Sequence, residues 1–348
     1  MGSRQQTDLQ YQDKTKQALS KLPDYVKTYI RAIHYTAAPR TCYEYVKDIA
    51  QYMQWVESIT HTPVTLDILA AQTRQDFEEY LEHLEHYVSP SGQQRTNSRT
   101  SLKRKVASLR KFFAWLFSEE YILSDETRKL QLPKIAKKEI VYLDNQEITT
   151  LLDNVETGSQ LTGKQIAHHK RQSIRDMAII TLMLSTGIRV SECTELDIQD
   201  IDMNNKCIHI TRKGGTQTSV YFSDEIVPYL QAYYDNRINR QDVPSTEKAF
   251  FLSSRKTRCN QRTIEILVQK YALSAIPGKH ITPHKLRSTF ATQLYQTTGD
   301  IYLVAETLGH HDVTTTKNHY AQITDTRKRD NRNKVQLFAQ KPDEKEST

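Results

Sequence analysis

The sequence predicts a mainly α protein in two parts, the second of which carries a small antiparallel β-sheet. Three observations lead there. Apolar residues recur at helical spacing through most of the chain, and one stretch in its second half alternates apolar and polar positions around a Lys-Gly-Gly turn. A polar, Lys-rich run broken by Pro133 separates the two parts, and 348 residues suit about two domains.

Residues 1–19 read as an N-terminal arm. Residues 20–125 read as one domain of four or five helices: LPDYVKTYIRAI, RTCYEYVKDIAQYMQWVESI, TRQDFEEYLEHLEHYV and SRTSLKRKVASLRKFFAWLFSEEYI, punctuated by Pro39 and by SPSG at 89–92. In the last of these, a helix starting at Ser98 or Thr100 lines up Leu102, Val106, Leu109, Phe113 and Leu116 as one apolar stripe. Between Arg95 and Lys111 there are seven basic residues and no acidic one: Arg95, Arg99, Lys103, Arg104, Lys105, Arg110 and Lys111. With the stripe packed inward, Arg99, Lys103, Arg104, Lys105, Arg110 and Lys111 spread over the other faces. A phosphate-binding surface and an ordinary solvated helix face account for that equally well.

Residues 126–142 read as a linker. From 143 to 333 a second domain follows. DNQEITTLLDNV opens with a good N-cap, RQSIRDMAIITLMLSTGIRVSECTEL contains a strongly apolar helix, and KCIHITRKGGTQTSVYFS has the pattern of a hairpin. Helical patterns then resume. In the tail, residues 334–348, Val335, Leu337 and Phe338 form a small apolar cluster among polar neighbours.

Composition narrows the function classes. A net charge of +7 and a pI near 9.0 favour a polyanionic partner only modestly. Four cysteines without a CxxC pair indicate neither a disulfide framework nor a cysteine zinc site. No apolar run reaches membrane-spanning length, and the N-terminus lacks the apolar core of a signal peptide. The expectation is a cytoplasmic protein that does not engage a membrane.

Four separated stretches of the second domain offer cationic or titratable groups. In STGIRVSE a helix stops at Gly187, and Arg189 follows with Glu192 three residues on, placed to hold the guanidinium. Lys213 lies at the hairpin tip in TRKGGTQ. His284 and Arg287 are three apart at a helix start, hence on one face. The fourth stretch, LGHHDVTTTKNHYAQI, holds His310, His311, His319 and Tyr320. A phosphodiester explains such a set. Guanidinium forks match its non-bridging oxygens, and cations stabilise the charge that builds on a five-coordinate phosphorus. A tyrosine oxygen can serve as nucleophile. No Asp/Glu cluster of the magnesium-holding kind accompanies these residues, so the expected chemistry uses no metal and no cofactor.

Arg-x-Ser-Glu, a hairpin Lys, His-x-x-Arg, Leu-Gly-His and a downstream Tyr, in that order, resemble the tyrosine recombinase (phage integrase) family. The likeness covers nearly the whole chain. YEYVKDIAQYMQWV, SIRDMAIITLMLSTGIRVSE and TRKGG most resemble the Xer-type branch, in particular its XerS-like single recombinases. The resemblance implies a SAM-like core-binding domain at 20–125 and a catalytic domain at 143–333. It further implies that Tyr320 attacks the scissile phosphate to give a 3′-phosphotyrosyl link, and that Lys213 protonates the leaving 5′ oxygen. Arg189 and Arg287 would clamp the non-bridging oxygens, His310 would donate a further hydrogen bond, His284 would assist proton transfer at the tyrosine, and Glu192 would support Arg189. The implied partners are duplex DNA with an inverted-repeat site, a homotetramer on two such sites closed by the tail, and an FtsK-type translocase. No ATP is needed, because the phosphotyrosine conserves the bond energy.

One departure stands out. The family's Leu-Gly-His histidine usually precedes the tyrosine by nine residues, whereas His310 precedes Tyr320 by ten. Leu308-Gly309 favours His310 over His311. Tyr295 and Tyr302, in helical patterns, read as core or surface residues. Chromosome dimer resolution at a dif-like site is the expected task. Integration or transposition of a mobile element is the alternative, and a type IB topoisomerase or a non-catalytic DNA-binding protein of the same fold stands behind it.

Overall fold

The computed structural model describes residues 3–88, 92–131, 140–212 and 215–309. The chain divides into two compact units, residues 1–138 and 139–348.

Unit 1 contains helices α1 (Ser3–Leu19), α2 (Asp24–Ile33), α3 (Pro39–Thr60), α4 (Leu66–Ala70), α5 (Arg74–Glu85) and α6 (Arg99–Ser118). A two-stranded antiparallel ribbon, β1 (His86–Val88) and β2 (Gln94–Thr96), joins the last two helices. Local chemistry sets the boundaries. Thr73 and Asp76 form a reciprocal capping box at the start of α5, and the Ser98 hydroxyl accepts from the Ser101 N–H to start α6. The core is aromatic: Tyr52, Phe77 and Phe113 are at most 1% exposed, with Tyr52 and Phe77 stacked and Phe113 edge-on to both. All five residues of the stripe expected in α6 are buried.

The structure departs from the sequence reading at three edges of this unit. The segment read as an N-terminal arm forms α1 and lies on α3, with Tyr11 against Tyr43 and Thr15 buried. The helix expected to run to Val88 ends at Glu85, because the chain turns there into the ribbon. Glu126–Lys129, counted with the linker, is a 3₁₀ turn capped by Asp125, with Thr127 fully buried and Leu130 in the core. Arg110 fastens it by donating to the Thr127 and Leu130 carbonyls at 3.1 and 2.6 Å.

Unit 2 contains α7 (Asn145–Thr157), α8 (Lys164–Thr186), α9 (Val190–Glu195), α10 (Val227–Ile238), α11 (Gln261–Ala275), α12 (Pro283–Thr298) and α13 (Ile301–Leu308). Between α9 and α10 lies a three-stranded antiparallel sheet, β3 (Ile201–Asp202), β4 (Cys207–Thr211) and β5 (Gln217–Tyr221), ordered β3-β4-β5. β4 and β5 are the expected hairpin, with Ile208 opposite Val220 and Thr211 opposite Gln217. The middle of α8, Met177–Met183, is buried on every side, as its continuous apolar run requires. A polar tie fixes α8 to α11. The fully buried Asp176 carboxylate accepts from Arg175, Lys270 and the Tyr271 hydroxyl, the last two at 3.0 Å. Buried charge is tolerable there because each carboxylate oxygen is hydrogen-bonded. Unit 2 begins before the expected 143: Ile140 packs under α12 and α13, and the Leu143 N–H donates to Thr289 Oγ1 at 2.9 Å. The four cysteines are buried thiols. Among the described residues, no helix is long and apolar enough to cross a membrane.

Candidate active site

Four chain segments meet at the C-terminal end of α13. The first is the end of α8. Gly187 stops that helix in the left-handed region (φ 61°), and its N–H closes on the Met183 carbonyl. A Cβ there would lie 2.3 Å from Phe290 Cδ1, so only glycine lets α12 pack this close. Arg189 then serves as N-cap residue of α9. The Glu192 carboxylate takes the Arg189 backbone N–H on one oxygen (2.7 Å) and its guanidinium on the other (2.9 Å). Glu192 is buried, while the Arg189 side chain keeps about a third of its surface open at 35%. One carboxylate thus fixes both the start of α9 and the direction of the guanidinium, the role the Arg-x-Ser-Glu spacing suggested.

α12 supplies the second segment. Thr282 and Pro283 begin it, with proline at the position whose missing N–H costs nothing. Arg287 is buried and donates to the Gly187 carbonyl and to the Leu308 carbonyl, each at 2.6 Å. His284, one turn earlier, is exposed.

The hairpin supplies the third, through a residue that sequence reasoning did not select. Arg212 is 8% exposed and donates to the Leu308 carbonyl (2.6 Å) and the Thr307 carbonyl (2.7 Å). Its backbone closes the hairpin base, with its N–H on Thr216 O and its carbonyl accepting from Gly215 N–H. The fourth segment is α13 itself, started by the Asp300 carboxylate on the Tyr302 and Leu303 N–H groups and ended by Gly309 at φ 62°.

The Leu308 carbonyl is therefore the node where Arg212 and Arg287 converge. Among the described residues, the guanidinium groups of Arg189, Arg212 and Arg287 meet the carboxylate of Glu192 here, an excess of positive charge. Burial pulls the Arg212 pKa down; Glu192 works against that pull, and Arg189 adds to it. A preorganised cationic pocket of this kind binds an anion and stabilises negative charge that develops on it.

The structure brings together Arg189, Glu192 and Arg287 of the expected set. Lys213, His310, His311, His319, Tyr320 and the tail lie outside the described residues, although Lys213 directly follows Arg212 and His310 directly follows Gly309. Tyr295 is buried beside α13 and Tyr302 is 71% exposed. Among the described residues Asp202, Cys207 and His209 bring potential metal-binding atoms within 4.8 Å of one another. Turn and strand contacts already account for them, with Asp202 accepting from Asn205 and His209 paired with Ser219.

The seven basic residues between Arg95 and Lys111 divide by use. Arg104 forks onto both oxygens of the buried Asp48 (2.6 and 2.9 Å), which also takes Lys105 at 3.3 Å and Ser108 at 2.6 Å. Arg110 is committed to backbone carbonyls. Arg95 reaches Gln93 from β2, and Lys111 lies over the Tyr45 ring at 5.5 Å. Arg95, Arg99, Lys103 and Lys111 remain exposed.

Comparison with known proteins bears on the same segments. The model of the phage integrase family matches residues 141–327, and that of the phage integrase N-terminal SAM-like domain matches residues 26–120. Tyrosine recombinase XerS of Streptococcus agalactiae is 30% identical over 316 residues, spanning 83% of this chain and 88% of the relative. XerS of Streptococcus sanguinis is 28% identical over 317 residues, with the same two shares, 83% and 88%. Among solved structures, the Tn1549 transposon integrase with transposon right end DNA superposes with a TM-score of 0.64 at 18% identity, covering 89% of this chain and 99% of that one. XerH bound to palindromic difH substrate gives a TM-score of 0.61 at 18% identity, covering 88% and 94%.

Proposed function

This chain belongs to the phage integrase family of tyrosine recombinases, and from that premise we propose that it resolves dimeric circular chromosomes by recombining two copies of a dif-like inverted repeat. It is a site-specific tyrosine recombinase, a DNA strand transferase of a family that works without metal ion or ATP. The observation that carries the chromosomal reading is the likeness to XerS over 83% of the chain.

In the proposed mechanism the Tyr320 oxygen attacks the scissile phosphorus, with His284 assisting removal of its proton. The bond from phosphorus to the 5′ oxygen breaks, and Lys213 gives that oxygen a proton. Arg189 and Arg287 hold the non-bridging oxygens and His310 adds a hydrogen bond. Arg287 donates to the Gly187 and Leu308 carbonyls, which fixes the direction of its guanidinium. Glu192 keeps Arg189 aimed. The 5′-hydroxyl of the partner strand then attacks the phosphotyrosine and restores a phosphodiester.

Further parts of the proposal concern assembly and place. Arg95, Arg99, Lys103 and Lys111, with the open edges of Arg104, Lys105 and Arg110, face the DNA backbone. Four protomers act on two sites in the cytoplasm. Residues 334–348 dock on the neighbouring protomer and close the ring head to tail, and an FtsK-type translocase licenses the reaction. Sequencing the DNA that the protein protects in cells tests the task. An inverted repeat near the replication terminus is the expected result. Protection at the ends of a mobile element would replace the chromosomal reading with integration.

A further inference from the structure

We propose that Arg212 is a positioning residue for strand cleavage: its two hydrogen bonds to the end of α13 fix the strand end that leads into Lys213 against the helix end that leads into His310. This rests on reading Lys213 as the general acid.

Three observations carry it. First, Arg212 reaches across 95 and 96 residues of sequence to the Thr307 and Leu308 carbonyls, at 2.7 and 2.6 Å. These are carbonyls that the terminating helix leaves without partners, and a planar guanidinium can take both at once where an ammonium takes one point. Second, the Leu308 oxygen also receives Arg287, which in turn holds the Gly187 carbonyl two residues before Arg189. The hairpin is therefore referenced to the same atom as the proposed phosphate clamp, and any shift of Arg212 moves the base of the Lys213 loop relative to that clamp. Third, the space is made for it. A Cβ on Gly309 would lie 2.5 Å from the Arg212 Cδ and Nη1 atoms, and glycine also suits the left-handed turn there.

A guanidinium this buried, whose hydrogen-bond acceptors among the described residues are carbonyls rather than a carboxylate, is costly to keep. A surface hairpin loop could be closed more cheaply, since its main-chain bonds to Thr216 and Gly215 already form. What the buried side chain adds is register between two segments, one leading into Lys213, proposed to protonate the leaving oxygen, and one into His310, proposed to hydrogen-bond the phosphate.

The test is single-turnover cleavage by the full-length protein of a nicked duplex bearing the protected site, whichever class of site that proves to be. Each variant is assayed on the ordinary phosphodiester and on one with sulfur in place of the bridging 5′ oxygen, which leaves without a proton. General acid catalysis typically contributes ~100- to 10,000-fold. Arg212→Ala should therefore lose roughly 10- to 100-fold on the ordinary substrate, a misplaced acid being less harmful than a missing one. Arg212→Lys should fall in between, and both should recover to within about threefold of wild type on the sulfur substrate. Full activity of Arg212→Ala on the ordinary substrate overturns the proposal. So does an equal loss on both substrates, for either variant, which would mean that Arg212 only holds the fold. Lys213→Ala run alongside separates the two levels. If wild type cleaves and Lys213→Ala is not rescued by sulfur, the general-acid reading fails and takes the Arg212 role with it.

Discussion

Gly187 ends α8 with φ 61°, and its carbonyl receives Arg287 while Arg189 follows two residues later. Gly187→Ala would put a methyl 2.3 Å from the Phe290 ring in a backbone region that L-residues avoid. A cost of about 1–3 kcal/mol is expected from the backbone alone. Since the displaced peptide is the one that Arg287 grips, cleavage should fall about tenfold even at temperatures where the variant is fully folded. Gly163 is the control: it too has positive φ, 48°, but nothing lies within 4 Å of an added Cβ. Thermal unfolding alongside cleavage rates checks the pair. Gly163→Ala should lose stability without losing rate, and an unimpaired rate for Gly187→Ala would contradict the expectation.

At the level of elements, α6 carries two kinds of basic residue that look alike in the sequence. Arg110 donates to two backbone carbonyls of the 3₁₀ turn. Arg110→Ala should destabilise unit 1 by about 1–3 kcal/mol, because those acceptors lose their partner. Lys103 is exposed, and Lys103→Ala should change stability by less than about 0.5 kcal/mol. Its effect should appear in DNA binding, where the slope of log affinity against log salt falls by roughly one. Urea unfolding and salt-dependent binding separate the two, and an unchanged salt slope for Lys103→Ala would show that Lys103 does not face the phosphates. The same helix shows what a sequence discloses. Its stripe from Leu102 to Leu116 was legible because burial imposes a period along the helix itself. The use of Arg104 and Lys105 was not, because their acceptor, Asp48, lies 56 and 57 residues away on α3.

At the scale of the whole molecule, the same contrast governs the site. Arg189, Glu192 and Arg287 could be read from short motifs in a fixed order, and the structure gathers them around the end of α13. Arg212 escaped that reading because it binds backbone carbonyls, which leave no mark in residue identity. Three parts of unit 1 also escaped: α1, the ribbon and the 3₁₀ turn depend on docking surfaces rather than on their own patterns. The proposed function turns on phosphoryl transfer to the Tyr320 oxygen, with side-chain cations holding the phosphate. The most direct measurement uses a suicide duplex, nicked beside the cleavage point so that the freed strand end diffuses away, with chelator present throughout. Wild type should accumulate a covalent adduct whose DNA-bearing peptide contains Tyr320 joined to a 3′ phosphate, and Tyr320→Phe should give none. An adduct that persists in Tyr320→Phe, or one that forms only when magnesium is supplied, would contradict the account.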